Sequence, residues 1–151
     1  MKEQKISALD QALSLLSHRE HSSKELATKL KAKGNTENEI SSTITHLQDI
    51  NYLNDRRFTE VFIRSRINKP LGVNRILQEL VQKGIDRVEA KEAITNANTD
   101  WFELAKKLKE RKFGEDASTD FKEKAKQSRY LQYRGFDFEQ IKYAISPSDE
   151  Y

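Results

Sequence analysis

The sequence predicts an all-α protein built from three tandem three-helix repeats that form an elongated, curved array. Apolar residues recur at the three- and four-residue spacing of amphipathic helices, and only two prolines interrupt 151 residues. The third observation is an internal repeat of 50 or 51 residues. A chain of this length folds as one domain or as a few small modules.

The repeat is marked by Gly34, Gly84 and Gly135, which are 50 and 51 residues apart. A leucine stands four residues before each glycine, a basic residue stands one before it, and apolar residues stand six and ten after it. We therefore predict units at residues 1–54, 55–99 and 100–151. Because each unit is small, we expect neighbouring units to bury apolar faces against each other. A single compact bundle whose helices merely end in glycine is the alternative interpretation.

The first unit is predicted to contain a helix over 8–17, a short helix that carries Leu26 and Leu30, and a third helix that carries Ile40, Ile44 and Leu47. Ser22 and Glu25 have the spacing of a capping box, in which a hydroxyl and a carboxylate satisfy opposite backbone N–H groups. Gly34 is placed to end the second helix in a left-handed conformation. Either Asn35 or Thr36 can cap the third helix.

The middle unit is predicted to begin with a helix over 55–68. Pro70 and Gly72 mark the turn that follows, and Gly84 closes the next helix. At 100° per residue, Arg57 and Arg64 fall on the polar side of the first helix, which favours partner contact for both.

Arg66 falls instead beside Phe62, within the apolar arc of the same helix. We expect the stem of Arg66 to be buried and its guanidinium to pair with a carboxylate.

The third unit is predicted to start with a helix capped by Asp100 and ended by Gly114. A helix over 120–134 follows, with a core-facing stripe formed by Phe121, Ala125, Ser128 and Leu131. The last helix covers 137–145, and residues 148–151 are expected to form a frayed tail.

Basic residues concentrate in two zones of a chain whose net charge is only +3. Residues 55–84 contain seven basic and three acidic residues, giving +4, and residues 106–134 contain ten and five, giving +5. Such zones are typical of proteins with a polyanionic partner, although solvated helix faces give the same pattern. The candidate partner-binding residues are Arg57, Arg64, Lys69, Arg75, Lys122, Lys126, Arg129, Tyr130 and Tyr133. For the two tyrosines, packing against the middle unit is the alternative.

Nothing in the sequence indicates catalysis, a cofactor or a metal site. The chain has no cysteine, no glycine-rich phosphate loop and no HExxH motif. His18 and His21 are expected to be exposed loop residues, because no cysteine or acidic cluster accompanies them. No apolar run has the length of a membrane span, and the N-terminus lacks the apolar core of a signal peptide, so we expect a cytoplasmic protein. We also expect the array to be a monomer.

Several segments resemble the central signature of the RecX family, which regulates the RecA recombinase: NDRRF at 54–58, FIRSR at 62–66, RILQEL at 75–80 and KGI at 83–85. Further resemblance lies in DW at 100–101, KFG at 112–114 and YRGF at 133–136. The family often has Gly-Pro before its Arg-Ile pair, whereas here Val73-Asn74 follows Gly72.

The resemblance implies a non-enzymatic protein that binds within the groove of the RecA–DNA filament. It further implies inhibition of ATP hydrolysis and strand exchange, and limits on filament growth or lifetime. An alternative from a different class is a helix-turn-helix-like protein that binds DNA directly, because its basic zones could follow phosphates.

Overall fold

The structure, a computed structural model, describes residues 6–147. The expectations for the N-terminal segment before residue 6 and for the tail at 148–151 lie outside the described residues. Within 6–147 the chain contains nine α-helices and no strand. They are α1 (Ala8–His18), α2 (Ser23–Ala32), α3 (Glu37–Asp49), α4 (Asp55–Ile67), α5 (Val73–Gln82), α6 (Arg87–Asn96), α7 (Trp101–Phe113), α8 (Phe121–Tyr133) and α9 (Phe138–Ile145).

Local side-chain caps explain where most helices begin. Every helix except α5 starts after a serine, threonine, asparagine or aspartate that accepts a hydrogen bond from a backbone N–H of its first turn. Thr36, not Asn35, caps α3, and Glu39 completes a capping box with it. Asn35 is buried instead, and its amide donates to the side chain of Gln11 and the carbonyl of Leu30.

The repeated glycines end the middle helix of each unit in the same way. Gly34, Gly84 and Gly135 have φ of 92°, 90° and 101°, which a residue with a side chain seldom adopts. In each case the next residue donates its N–H back to the carbonyl of the leucine four residues before the glycine, as in a Schellman motif. Those leucines, at positions 30, 80 and 131, are fully buried. The predicted repeat is therefore confirmed.

Each unit has a hydrophobic core of its own. Leu26 and Leu47 mark the first core, Phe58 and Ile76 the second, and Leu131 the third. The helix pairs in closest contact all belong to the same unit. The hydrogen bonds between neighbouring units come from polar side chains and backbone groups. The expected apolar contact between units is present at Trp101, which begins α7 of the third unit and packs against the middle core.

Polar side chains form the first joint, which connects the first and middle units. The Oγ of Ser22 donates to the carbonyl of Lys83 at 2.7 Å, and the backbone N–H of Ser23 donates to Asp55 at 2.7 Å. The carboxylate of Glu25 accepts from Lys83 at 2.7 Å and from the guanidinium of Arg19 at 2.7 and 2.9 Å. Ser22 caps α2 as predicted, but Glu25 points to these cations, so the predicted capping box is only half formed.

His21 is only 1% exposed, so the expectation of an exposed loop histidine was wrong. Its Nδ1 lies 3.0 Å from the carbonyl of Arg19, and its Nε2 lies 2.9 Å from Nζ of Lys29. Since a carbonyl only accepts and an ammonium only donates, the ring is neutral with its proton on Nδ1. The pKa of His21 is lowered, and burial is the main cause. The hydrogen bond to the carbonyl of Arg19 opposes this shift.

Backbone atoms form the second joint, which connects the middle and third units. The N–H of Gly72 donates to the carbonyl of Arg134 at 2.8 Å, and the N–H of Asn74 donates to the carbonyl of Gly135 at 3.0 Å. A Cβ on Gly72 would lie 2.5 Å from the carbonyl carbon of Gly135, and one on Gly135 would lie 2.4 Å from the Cβ of Arg75. Glycine is therefore required on both sides of this contact.

Candidate partner-binding surface

A basic stripe on α8 is the most regular charged surface among the candidate residues. Lys122, Lys126, Arg129 and Tyr133 are all exposed, and their spacing of i, i+4, i+7 and i+11 aligns them on one face. At 1.5 Å per residue the stripe, hereafter the α8 stripe, is about 16 Å long. The structure thus brings together four residues that the sequence predicted as partner contacts.

The core-facing side of α8 differs from the predicted one. Gln127 and Leu131 are the buried residues of the helix, and both lie opposite the α8 stripe. Phe121 was predicted to face the core but is 83% exposed. Of the predicted stripe, Leu131 belongs to the third core, whereas Phe121, about 80° away on the helix, does not.

Tyr130 packs within its own unit, not against the middle one. Its ring meets the ring of Phe113 edge-on with centroids 5.4 Å apart. The ammonium of Lys112 and the guanidinium of Arg134 lie 5.6 and 5.5 Å from the same ring, and Arg134 donates to its hydroxyl at 3.3 Å. This cluster flanks the α8 stripe. Its two cations were not predicted as partner contacts, because Lys112 lies in the last turn of α7 and Arg134 directly follows α8.

Arg75 extends the α8 stripe across the second joint. Its guanidinium lies 5.2 Å from the ring centroid of Tyr133 and donates to the carbonyl of Tyr133 at 3.2 Å. Tyr133 is nevertheless 74% exposed, so the phenol remains open to solvent while one side of its ring meets the middle unit. The packing alternative therefore holds for one side of the Tyr133 ring, and its role in partner contact stays a prediction.

A buried lysine fixes the loop that precedes α8. Lys109 on α7 is only 2% exposed, and its ammonium donates to the carbonyls of Gly114 and Asp116 at 2.8 and 3.0 Å. These bonds hold the loop between α7 and α8 and so set where the α8 stripe begins. Sequence reasoning missed Lys109, because a lysine within a helix is usually exposed.

Arg57 lies in the first joint. Its Nε donates to Glu20 at 2.5 Å, and its two terminal nitrogens donate to the carbonyls of Asn51 and Tyr52 at 3.0 Å each. The guanidinium therefore ties the start of α4 to two loops of the first unit. Its predicted role in partner contact stays a prediction, and any partner would have to compete with these bonds.

The remaining arginines of α4 differ in environment. Arg64 is exposed, as is Lys69 in the turn after α4, and neither has an ion pair within residues 6–147. Arg66 is largely buried, with its guanidinium 4.0 Å from the ring centroid of Phe62 and its Nε 3.4 Å from Glu79. The two groups form an ion pair, but their geometry does not allow a hydrogen bond between Nε of Arg66 and the carboxylate of Glu79. The prediction for Arg66 is confirmed.

The chemistry available on these surfaces is electrostatic and aromatic contact. Ammonium and guanidinium groups with neighbouring phenol rings recognise carboxylates or phosphates and add rigid contact area. In the described part of the chain, no group of three or more histidine, aspartate or glutamate side chains is placed to hold a metal ion. None of the helices between residues 6 and 147 is both long and apolar enough to cross a bilayer.

Comparison with known families matches all three units. Residues 8–47 match the description "RecX, first three-helix domain", residues 54–94 the second three-helix domain and residues 98–145 the third.

Individual relatives give the same result over nearly the full length. The chain is 43% identical over 145 residues to "Regulatory protein RecX" of Vibrio parahaemolyticus, covering 96% of this chain and 94% of the relative. It is 38% identical over 141 residues to the protein of that name from Halorhodospira halophila, covering 93% and 88%. The crystal structure of RecX from Lactobacillus salivarius superposes with a TM-score of 0.76 at 26% identity, covering 95% and 96% of the two chains.

Proposed function

The chain belongs to the RecX family, and from that premise we propose that it is a non-enzymatic regulator of the RecA recombinase. We propose that it binds as a monomer in the groove of the RecA–DNA filament, in the cytoplasm. Binding there limits ATP hydrolysis, strand exchange and filament extension, and so modulates recombination, DNA repair and the SOS response.

The observation that carries this proposal is the α8 stripe with its continuation in Arg75. Three cations and an exposed tyrosine face away from the core of the third unit over about 16 Å of helix. Lys69 and Arg64 add exposed charge to the middle unit. The groove of a nucleoprotein filament presents phosphates and protein carboxylates, both of which such a surface recognises.

The separate cores also support binding along a filament. Because each unit has its own core, the array can lie along successive subunits without unfolding any unit. The second joint, in which Gly72 donates to the carbonyl of Arg134 and Asn74 to that of Gly135, keeps Arg75 and the α8 stripe in one continuous surface.

Direct binding to DNA is the second candidate, because the cations of the α8 stripe could also follow a phosphate backbone. Binding to bare duplex would weaken with salt, with a log–log slope of about −0.9 per neutralised phosphate. A filament ligand is expected to bind bare DNA weakly.

The discriminating experiment compares the affinity of the protein for single-stranded DNA, duplex DNA, free RecA and the assembled filament at one salt concentration. We expect binding to the filament to be at least tenfold tighter than to any of the other three. Equal affinity for bare DNA and for the filament would instead favour the direct DNA-binding function.

A further inference from the structure

A groove of about 910 Å³ opens between α4 and α6 of the middle unit, away from the α8 stripe. Its walls include Ile63 and Ile85, which also belong to the middle core, and Ile67, Ala93 and Ala97 complete an aliphatic floor. A groove of this size matches the range of pockets that enclose a small ligand or a few side chains.

The charges around this groove are mainly negative. Two arginines and five carboxylates line it, so its net charge is −3. These residues are Arg56, Arg64, Asp55, Glu60, Asp86, Glu89 and Glu92. The groove is therefore the electrostatic opposite of the α8 stripe, although its α4 side lies in the basic zone at residues 55–84.

The carboxylates on the α6 side are the ones available to a partner. Glu89 and Glu92 are exposed, lie three residues apart on one face of α6, and form no ion pair within residues 6–147. Asp55 and Asp86 are occupied, the first by Ser23 and the second by the N-terminal amides of α6. Glu60 lies 3.8 Å from Arg56 in an exposed pair that a competing cation can displace.

We infer that this acidic groove binds a cationic amphipathic segment of a protein partner. Aliphatic side chains of that segment lie on the isoleucine floor, and its lysine or arginine side chains pair with Glu89 and Glu92. Nucleic acid does not fit, because phosphates would meet a net negative lip. The inference concerns a second surface, which shares Arg64 with the proposed filament contact, and goes beyond the proposed contact through the α8 stripe.

The test uses the full chain and a synthetic 15-residue peptide with leucines at i, i+3, i+4 and i+7 and lysines along one edge. Binding is followed by NMR of the isoleucine methyl groups. We expect the peptide to shift the methyl signals of Ile63, Ile67 and Ile85, and a peptide with glutamate in place of each lysine to leave them unchanged. A Glu89→Gln, Glu92→Gln variant should bind the lysine peptide at least tenfold more weakly.

The matched control is Glu115→Gln, Glu139→Gln, which removes the same charge from exposed positions of the third unit. It should bind like the wild type. The inference is overturned if the two variants bind equally, if the shifted methyls lie elsewhere, or if the glutamate peptide or a single-stranded oligonucleotide shifts the groove methyls. Concentration-dependent shifts without peptide would overturn it in favour of a second copy of the chain. The assay contains no RecA, so its outcome is independent of the proposed function.

Discussion

The carboxylate of Glu25 in the first unit accepts a hydrogen bond from the ammonium of Lys83 in the middle unit at 2.7 Å. The two residues are 58 positions apart in the sequence. Arg19 completes this cluster from the other side of the carboxylate. The first joint thus includes a nearly buried carboxylate that is paired with one cation from each unit.

Neutralising Glu25 should weaken the first joint. Burial alone would raise the pKa of Glu25, but the hydrogen bonds from Arg19 and Lys83 outweigh it and lower that pKa to about 2. A carboxyl with a depressed pKa stabilises the fold above its unfolded value, near 4.5, and that contribution is lost as the pH falls towards 2. Glu25→Gln should lower the free energy of unfolding at pH 7 by about 2 kcal/mol and remove this part of the acid dependence.

Urea denaturation of the wild type and Glu25→Gln between pH 2 and pH 7 measures this effect. Glu60→Gln is the control, because Glu60 is exposed in its pair with Arg56 and should change stability by less than about 0.5 kcal/mol. Equal effects of the two substitutions would show that the cluster around Glu25 does not stabilise the joint.

His21 should give the first unit a second acid dependence at higher pH. Its Nε2 accepts from Lys29, and Arg19 and Glu25 are its other charged neighbours, so protonation would place two cations 2.9 Å apart. Since its pKa in the fold lies below 6.5, the stability it contributes is complete above that value and declines as the pH falls. His21→Gln should flatten the stability profile between pH 7 and pH 5. His46→Gln, at an exposed position of α3, should not.

Substitution of Arg57 should reduce stability, whereas substitution of Arg64 should not. Arg57 makes three hydrogen bonds that join α4 to the first unit, and Arg64 is exposed. We expect Arg57→Ala to cost about 1–2 kcal/mol and Arg64→Ala to stay within about 0.5 kcal/mol. Thermal melts of the two variants decide this; similar melting temperatures would mean that the bonds of Arg57 add nothing net.

The second joint should be sensitive to a single methyl group. Gly135→Ala adds a Cβ that overlaps Arg75, while Gly34→Ala, at nearly the same φ, meets nothing within 4 Å. Both substitutions incur backbone strain of about 1–2 kcal/mol. We expect Gly135→Ala to lose about 1–3 kcal/mol more stability than Gly34→Ala, and this difference measures the contact between units. Gly72 has a negative φ, so Gly72→Ala should lose stability only through the overlap at the contact between units. Equal destabilisation by Gly135→Ala and Gly34→Ala would exclude close packing at this joint.

The repeat and most helix ends could be predicted from sequence because their causes are local. A cap such as Thr36 or Asp100 lies within three residues of the N–H groups that it satisfies, and Gly84 ends α5 through its own backbone. The predicted Arg66 pairing also depended on neighbours within one helix and the next.

The joints could not be predicted in this way because their partners are distant in sequence. Arg57 is 37 residues from Glu20, and no periodicity connects them. His21 is buried although its polar segment looks solvated, and its ring contacts Lys29. On α8, the α8 stripe was predicted but the core face was not, since Phe121 offers an apolar side chain that the third core does not use.

The most direct test of the account is the rate of ATP hydrolysis by RecA on single-stranded DNA, measured against the concentration of added protein. The wild type should slow hydrolysis and should hydrolyse no ATP by itself. The Lys122→Glu, Lys126→Glu, Arg129→Glu variant should keep its helical content and need at least tenfold more protein for the same inhibition. Its control, Lys31→Glu, Arg87→Glu, Lys91→Glu, makes the same charge change at other exposed positions and should inhibit like the wild type. Inhibition by the α8 variant at wild-type concentrations would contradict the assignment of the α8 stripe as the contact surface.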